Sequence, residues 1–158
     1  MGLLEVKEHF KQFNKDNGIF EHNVSTATVQ EAAEALGVEP ARIAKTLSFK
    51  SADGAILIVA AGDAKIDNAK FKAKFGIKAK MLTPEEVYTY TGHHVGGVCP
   101  FGLAQPLEVY LDESMKRFKT IFPACGTSNS SIELTLAELE QFSYATAWVD
   151  VAKGWQEQ

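Results

Sequence analysis

Cysteine and long apolar runs are scarce in this sequence, and each scarcity excludes a class of protein. Only two cysteines, Cys99 and Cys125, occur among the 158 residues, which is too few for a disulfide framework. No apolar run approaches the roughly 20 residues that cross a bilayer, and the opening residues do not form the apolar stretch of a secretory signal. We therefore expect a soluble protein of the reducing cytoplasm, without a membrane partner.

Positive charge is also in deficit, which argues against a protein that coats nucleic acid indiscriminately. The formal net charge is -4, from 16 Lys and Arg against 20 Asp and Glu, and no DNA partner is expected. Lysine is nevertheless concentrated in one stretch, the lysine cluster, at Lys65, Lys70, Lys72, Lys74, Lys78 and Lys80. Such a cluster is either a solvated face or a local surface for phosphates.

In other respects the residue composition is that of an ordinary globular protein. The apolar fraction is 46% and the charged fraction is 23%. A chain of this length fits one domain and buries roughly two-thirds of its unfolded surface, so it needs neither a metal ion nor a disulfide to fold. We predict a single domain over residues 1–158.

Local signals divide the chain into helices and strands. A lysine-rich stretch predicts a helix over residues 67–75. Asp53-Gly54, which lies between two apolar runs, predicts a hairpin. Further strands are predicted at residues 107–111, 120–124, 131–134 and 145–151. Because helices and strands do not alternate as βαβ units, we predict an α+β domain with a mixed sheet and helices packed against it. Three more helices are predicted by capping boxes, which pair Thr28 with Glu31, Thr83 with Glu86, and Thr135 with Glu138.

Residues 93–103 have no helical or strand period and are rich in glycine and proline, so we predict a loop. Gly96 and Gly97 permit positive φ and close approach of the backbone, and Pro100 stiffens the exit. A loop of this kind can aim several N–H groups at one point, which is the geometry that stabilises a developing oxyanion. It can equally be a tight connection between a helix and a strand.

Lys45 has apolar surroundings in the sequence, with Ile43, Leu47 and Phe49 nearby. Its ammonium can therefore emerge at the end of a strand beside a pocket. A lysine in that position holds a phosphate or a carbonyl oxygen as a point charge. An ordinary surface lysine is the alternative interpretation.

The histidines and cysteines raise the question of a metal site. His93, His94, Cys99 and Cys125 carry the side chains that zinc prefers, but no CxxC or HxxxH spacing is present. We predict no metal and no cofactor. Cys99 can act as a nucleophile only if its thiolate is favoured, and a small apolar thiol is the alternative.

Taken together, these segments resemble the YbaK/ProX-type family of editing domains associated with prolyl-tRNA synthetase. The resemblance covers most of the chain and includes the block around Lys45, residues 60–63, the loop at residues 91–102, and Gly126. It implies a mostly antiparallel, curved sheet flanked by helices. It also implies a trans-editing deacylase, an enzyme that hydrolyses the ester of tRNA mischarged with a small amino acid.

The resemblance also implies roles for individual residues. Lys45 matches the family's essential lysine, which fixes the phosphate or the amino-acid end of the substrate. The loop whose amides contact the scissile carbonyl is matched by Gly96, Gly97, Val98, Cys99 and Pro100. Substrate binding is expected from Thr46, His93, His94, Gly126, Thr127, Ser128, Asn129 and Ser131. The lysine cluster is expected to contact the acceptor stem, and no side-chain base is required.

Two departures from the family leave the amino acid open. No histidine follows Gly126, as it does in some alanine-specific members, and no aspartate stands near Ser131, as in cysteine-specific ones. Alanine, serine, threonine and cysteine on tRNA-Pro or a related tRNA are the candidates. The expected partners are the tRNA acceptor end and, as a further candidate, an aminoacyl-tRNA synthetase. The alternative function is a catalytically silent module that binds tRNA or the synthetase.

Overall fold

The structure, a computed structural model, describes residues 2–155 and is built around a curled six-stranded sheet. The helices are α1 (Gly2–Lys11), α2 (Val29–Leu36), α3 (Asn68–Phe75), α4 (Pro84–Thr91) and α5 (Leu136–Phe142). The strands are β1 (Phe20–Glu21), β2 (Ile43–Ser51), β3 (Gly54–Ala61), β4 (Lys65–Ile66), β5 (Glu108–Asp112), β6 (Thr120–Pro123), β7 (Ser130–Ser131), β8 (Leu134–Thr135), β9 (Ala147–Val149) and β10 (Ala152–Lys153). Single 3-10 turns occupy Asp16–Gly18, Pro40–Arg42 and Glu113–Arg117.

The capping signals in the sequence set the helix boundaries. All three predicted capping boxes form, so α2, α4 and α5 each begin one residue after the threonine that caps them. At α3 the Asp67 carboxylate accepts the amides of Ala69 and Lys70, both at 3.0 Å. Gly76 ends that helix in the left-handed conformation, with φ of 78°. These predictions are confirmed. The sequence could predict the caps because each one depends on atoms within a single helical turn.

The main sheet has the strand order β8-β6-β2-β3-β5-β9. β2 and β3 pair antiparallel along their length and are joined at the predicted Asp53-Gly54 hairpin. Three of the five pairings in this sheet are parallel, namely β2 with β6, β3 with β5, and β5 with β9. The two small sheets, β1 with β7 and β4 with β10, are antiparallel. Over the described residues the fold is therefore α+β with a mixed sheet, as predicted.

Two predicted strands are divided in the structure. Residues 131–134 were expected to form one strand, but β7 pairs with β1 while β8 pairs with β6. Residues 145–151 divide in the same way, because β9 joins the main sheet and β10 pairs with β4. In both places the chain changes partner, which a run of strand-forming residues does not reveal.

β3 is buried on both faces, so its apolar residues form a continuous run. Leu57 and Val59 face the larger core, which includes Phe10 of α1. Ile58 faces the smaller core beneath α3, which includes Phe71. This strand anchors β2, and β2 carries the residues of the site.

Candidate active site

Among the described residues, no strand lies beside part of the outer edge of β2. β6 pairs only with the first two residues of β2, and the chain returns to this edge where the Leu82 amide donates to the Ser48 carbonyl at 3.2 Å. Residues 45–47 lie between these two points. The gap in the sheet opens onto a cavity.

The cavity has a volume of about 440 Å³, within the range of sites for small molecules. Its walls come from β2, residues 26–29, residues 81–87, the glycine loop at residues 95–98, and β7. Most of the lining is apolar, and Lys45 supplies the one ammonium among the lining residues. Val95 and Met81 also line it and are 62% and 55% exposed, so they lie at its mouth.

Lys45 is half-buried in the third position of β2. Its Nζ donates to the carbonyl of Gly62 at 3.3 Å and to the carbonyl of Ala64. Burial lowers the pKa of the Lys45 ammonium, and the neighbouring Asp63 charge partly opposes that shift. The side chain thus holds a positive charge in a poorly hydrated wall, where it interacts more strongly with a bound anion than it would in bulk water.

At Gly97 the glycine loop approaches other backbone so closely that a side chain is excluded. Gly96 has φ of 103°, and a Cβ on Gly97 would lie 2.6 Å from the Thr127 amide nitrogen. The Gly97 amide donates to the His94 carbonyl at 3.0 Å, and its carbonyl accepts from the Gly126 amide at 3.0 Å. The peptide groups of Gly97 are therefore committed to holding the loop in place. Within residues 2–155 the amides of Gly96 and Val98 make no hydrogen bond.

The cavity brings together five of the residues expected from the sequence: Lys45, Thr46, Gly96, Val98 and Ser131. The turn at residues 126–129 lies behind the wall, where the Ser128 carbonyl accepts the Thr26 amide at 2.6 Å. Gly97, Cys99 and Pro100 are buried and do not line the cavity. Gly126, Thr127, Ser128 and Asn129 do not line the cavity either, and Ser128 and Asn129 are exposed.

His93 lies in the core and not at the rim of the cavity. Its ring is fully buried, with Nε2 2.7 Å from the Phe101 carbonyl oxygen. Cys99 is fully buried beside it, and burial raises the pKa of the Cys99 thiol to about 12. That burial disfavours the thiolate that a nucleophilic cysteine needs. His94, by contrast, is exposed and stacks on Tyr88, with ring centroids 4.3 Å apart and planes at 15°.

The lysine cluster is exposed over most of its length. Lys72 and Lys74 project from α3, and Lys78 and Lys80 follow it. Lys70 is an exception, because its Nζ lies 3.0 Å from Asp150 and donates to the Ala152 carbonyl at 3.1 Å. Lys65 is exposed on β4, and Lys80 directly precedes the rim residue Met81. The chain thus leads from the cluster to the mouth of the cavity.

Two features of the site have no signal in the sequence. Nε2 of His22 lies 2.8 Å from the hydroxyl oxygen of Ser131, in the wall of the cavity. The Arg117 guanidinium contacts both carboxylate oxygens of Asp63, at 2.6 and 2.9 Å. Each contact joins residues far apart in the chain, so no spacing rule predicts it.

The model of the aminoacyl-tRNA editing domain matches residues 23–142, which include every lining segment of the cavity. The chain belongs to the aminoacyl-tRNA editing domain family. YwhH of Bacillus subtilis, an uncharacterised protein, is 58% identical over 99% of this editing domain and 100% of its own length. A solved structure described provisionally as a trans-editing enzyme for prolyl tRNA synthetase is 32% identical, with a TM-score of 0.87 over 97% of this chain and 98% of that one.

Two further relatives match the chain over only part of their own length. EbsC of Enterococcus faecalis, named provisionally as a deacylase of Cys-tRNA(Pro) and Cys-tRNA(Cys), is 31% identical over 68% of this chain and 66% of its own. A proline–tRNA ligase of Thermosipho melanesiensis is 28% identical over 96% of this chain. The match spans 26% of that ligase.

Between residues 2 and 155, no three His, Cys, Asp or Glu side chains of the editing domain are grouped as metal ligands would be. No helix in the described part of the chain has both the length and the apolar character of a membrane span.

Proposed function

We propose that this editing domain hydrolyses the ester bond of tRNA mischarged with a small amino acid, and that it acts in trans. The observation that carries the proposal is that Lys45, Gly96 and Val98 line one cavity, and that the amides of Gly96 and Val98 have no hydrogen-bond partner within residues 2–155. The match to YwhH over its whole length supports a domain that acts without an attached synthetase.

The geometry suits an ester better than a more stable bond. Water attacks the carbonyl carbon, the carbonyl oxygen becomes an oxyanion, and collapse of the intermediate breaks the bond to the ribose oxygen, which takes up the proton that the attacking water loses. The amides of Gly96 and Val98 are the donors for the oxyanion, and the Lys45 ammonium acts as a point charge on the same oxygen. Because the ester is already activated, alignment and oxyanion stabilisation supply much of the acceleration.

Selection among amino acids follows from the volume and lining of the cavity. A synthetase discriminates poorly against a smaller amino acid, by only ~1–3 kcal/mol per methylene, so a second and smaller site corrects its errors. Ser131 and Thr46 place hydroxyl groups in an otherwise largely apolar wall. Alanine, serine, threonine and cysteine are the candidate side chains, and proline is excluded by its shape. The name given to EbsC favours cysteine on tRNA(Pro) for that relative.

The tRNA is held outside the cavity by charge and by stacking. The exposed lysines of the cluster contact phosphates without reading the sequence of the tRNA. Tyr88 and His94 adjoin the lining residues Val87 and Val95, so their stack lies within reach of the last nucleotides. A base that stacks on the open face of His94 extends this pair.

The test is a deacylation assay over a panel of tRNAs, each charged with alanine, serine, threonine, cysteine or proline. We expect release of at least one small amino acid and no release of proline. Lys45→Ala lowers the rate by about 10²–10³, as loss of one oxyanion donor does in other enzymes. Lys119→Ala, at an exposed lysine outside the cavity, leaves it unchanged.

A second outcome separates the two functions under consideration. If micromolar protein binds the charged tRNAs but hydrolyses none of them, the domain is a silent binding module and the deacylase proposal is rejected. Circular dichroism of both lysine variants establishes that any loss of rate is not a loss of fold.

A further inference from the structure

An ion pair stands directly behind Lys45 and outside the cavity. Asp63 follows β3, and Arg117 ends the 3-10 turn after β5. The guanidinium Nη2 lies 2.6 Å from Oδ1 of Asp63, and Nη1 lies 2.9 Å from Oδ2. Both carboxylate oxygens are therefore occupied in a planar, two-bond arrangement, which is the geometry that arginine offers and lysine does not.

Arg117 is itself fixed from several sides. Its Nε donates to the Ser114 carbonyl at 2.8 Å, and Nη1 also reaches the Trp155 carbonyl at 3.3 Å. The guanidinium carbon lies 5.2 Å from the centre of the Trp155 ring and 4.9 Å from that of Phe118. Only 24% of the side chain is exposed. The arginine is thus held in the orientation that engages Asp63.

The Lys45 ammonium is bonded to the residues on either side of Asp63. Its two acceptors are the carbonyls of Gly62 and Ala64. The Asp63 charge raises the pKa of Lys45, and the Lys65 charge lowers it. Asp63 stands between the two residues whose carbonyls bind the ammonium, so its carboxylate, if it were unpaired, would compete with the substrate for that ammonium.

We propose that Arg117 is a positioning residue for Lys45, because by occupying both oxygens of Asp63 it prevents that carboxylate from capturing the ammonium. Lys45 then keeps only weakly binding carbonyl acceptors and remains available to a negatively charged group in the cavity. The inference rests on the proposed function for its consequence in catalysis, but the state of Lys45 is measurable without a substrate.

The first experiment compares Arg117→Gln, Asp63→Asn and the double variant. Arg117→Gln frees the carboxylate, so we expect kcat to fall about tenfold, the equivalent of one pKa unit of altered interaction, with little change in KM. The kcat of Asp63→Asn alone stays near that of the wild type. The double variant removes the competing charge and restores kcat. A purely structural role for Arg117 predicts the opposite, with the double variant as impaired as Arg117→Gln or more so.

The second experiment follows Lys45 itself in the whole protein without tRNA. An amine-reactive reagent labels the protein at a series of pH values, and mass spectrometry gives the extent of labelling at Lys45. We expect the labelling midpoint to move to higher pH in Arg117→Gln and to return in the double variant. Should Arg117→Gln fail to fold, Arg117→Lys, which retains the charge but not both bonds, replaces it in both comparisons.

The outcomes distinguish the inference from the proposed function. An active wild type with no rescue in the double variant, or an unchanged Lys45 midpoint in Arg117→Gln, overturns the positioning role. An inactive wild type whose Lys45 midpoint still shifts and returns as expected rejects the deacylase proposal and leaves the role of Arg117 standing.

Discussion

The two edges of β2 differ in a way that separates support from chemistry. One edge pairs with β3 from Ala44 opposite Ala61 to Ser51 opposite Gly54. The other edge is paired at its ends and open at residues 45–47, where the cavity lies. A strand that is fully bonded on one side can leave backbone unpaired on the other and stay in place. Support and chemistry are thus divided between the two edges of one strand, so each can be changed without the other.

The largest expected effect comes from weakening the supporting edge. Leu57 on β3 is fully buried, so Leu57→Ala should lower the free energy of unfolding by about 2–5 kcal/mol through lost burial and the cavity left behind. Activity per folded molecule should be nearly unchanged. Chemical denaturation, together with kcat measured well below the new midpoint, checks both statements. A large loss of kcat in fully folded protein would show that the two edges are not separable.

Activity measured at a series of pH values tests the open edge of β2, because that edge carries Lys45. Because burial lowers the pKa of Lys45, its ammonium is lost at a lower pH than that of an ordinary lysine near ~10.4. Activity that needs the ammonium should fall by up to about 10²–10³ as pH rises through that lowered pKa. Rates are corrected for spontaneous ester hydrolysis, and Lys45→Met supplies the baseline.

Stability should respond to the same titration with the opposite sign. Between the lowered pKa and the usual value the unfolded chain binds more protons at Lys45 than the folded one, so the free energy of unfolding rises with pH in that window. The difference between wild type and Lys45→Met isolates this contribution from other groups. A fall in that difference with rising pH would contradict the assigned shift.

A smaller effect is expected at the rim, where Tyr88 covers one face of His94. Tyr88→Ala removes the ring that holds His94 in place for the stacked base, so it should weaken tRNA binding by about tenfold, within the ~1–3 kcal/mol that one stacked base contributes, and should raise KM more than it lowers kcat. Tyr90→Ala is the matched control, since Tyr90 lies on the same helix but packs over Gly54 of the hairpin. Equal effects of the two changes on KM would remove the stacking role.

The smallest effect is expected from single lysines of the cluster. Lys72→Ala and Lys74→Ala each remove one exposed positive charge from α3. If each contacts one phosphate, the slope of log binding constant against log salt should become less steep by about 0.7–0.9 per lysine. Binding measured from low to moderate salt gives that slope. An unchanged slope, as expected for Lys119→Ala, would place the tRNA on another face.

The sequence predicted those parts of the fold that depend on near neighbours. The threonine caps of α2, α4 and α5 and the turn at Asp53-Gly54 were all predicted, because each is decided within four residues. The split of residues 131–134 between β7 and β8 was not, since it depends on which distant strand each half meets.

The same limit applies to the site. Lys45 and the glycine loop were identified as candidates from their residue types and the family resemblance, and the structure places both at one cavity. His93 was expected to bind substrate, but the sequence does not show whether a histidine ring points inward, and this one is buried. The Asp63–Arg117 pair spans 54 positions, and such a contact exists only once the chain has folded.

The open stretch of β2 also has a consequence for how the protein behaves at high concentration. An exposed strand edge is a template on which other chains add and aggregate. Here the opening is limited to residues 45–47 and is recessed behind Met81 and Val95, which leaves too little edge for a foreign strand of ordinary length. This edge can thus expose backbone to a small ligand without offering a template for fibril growth.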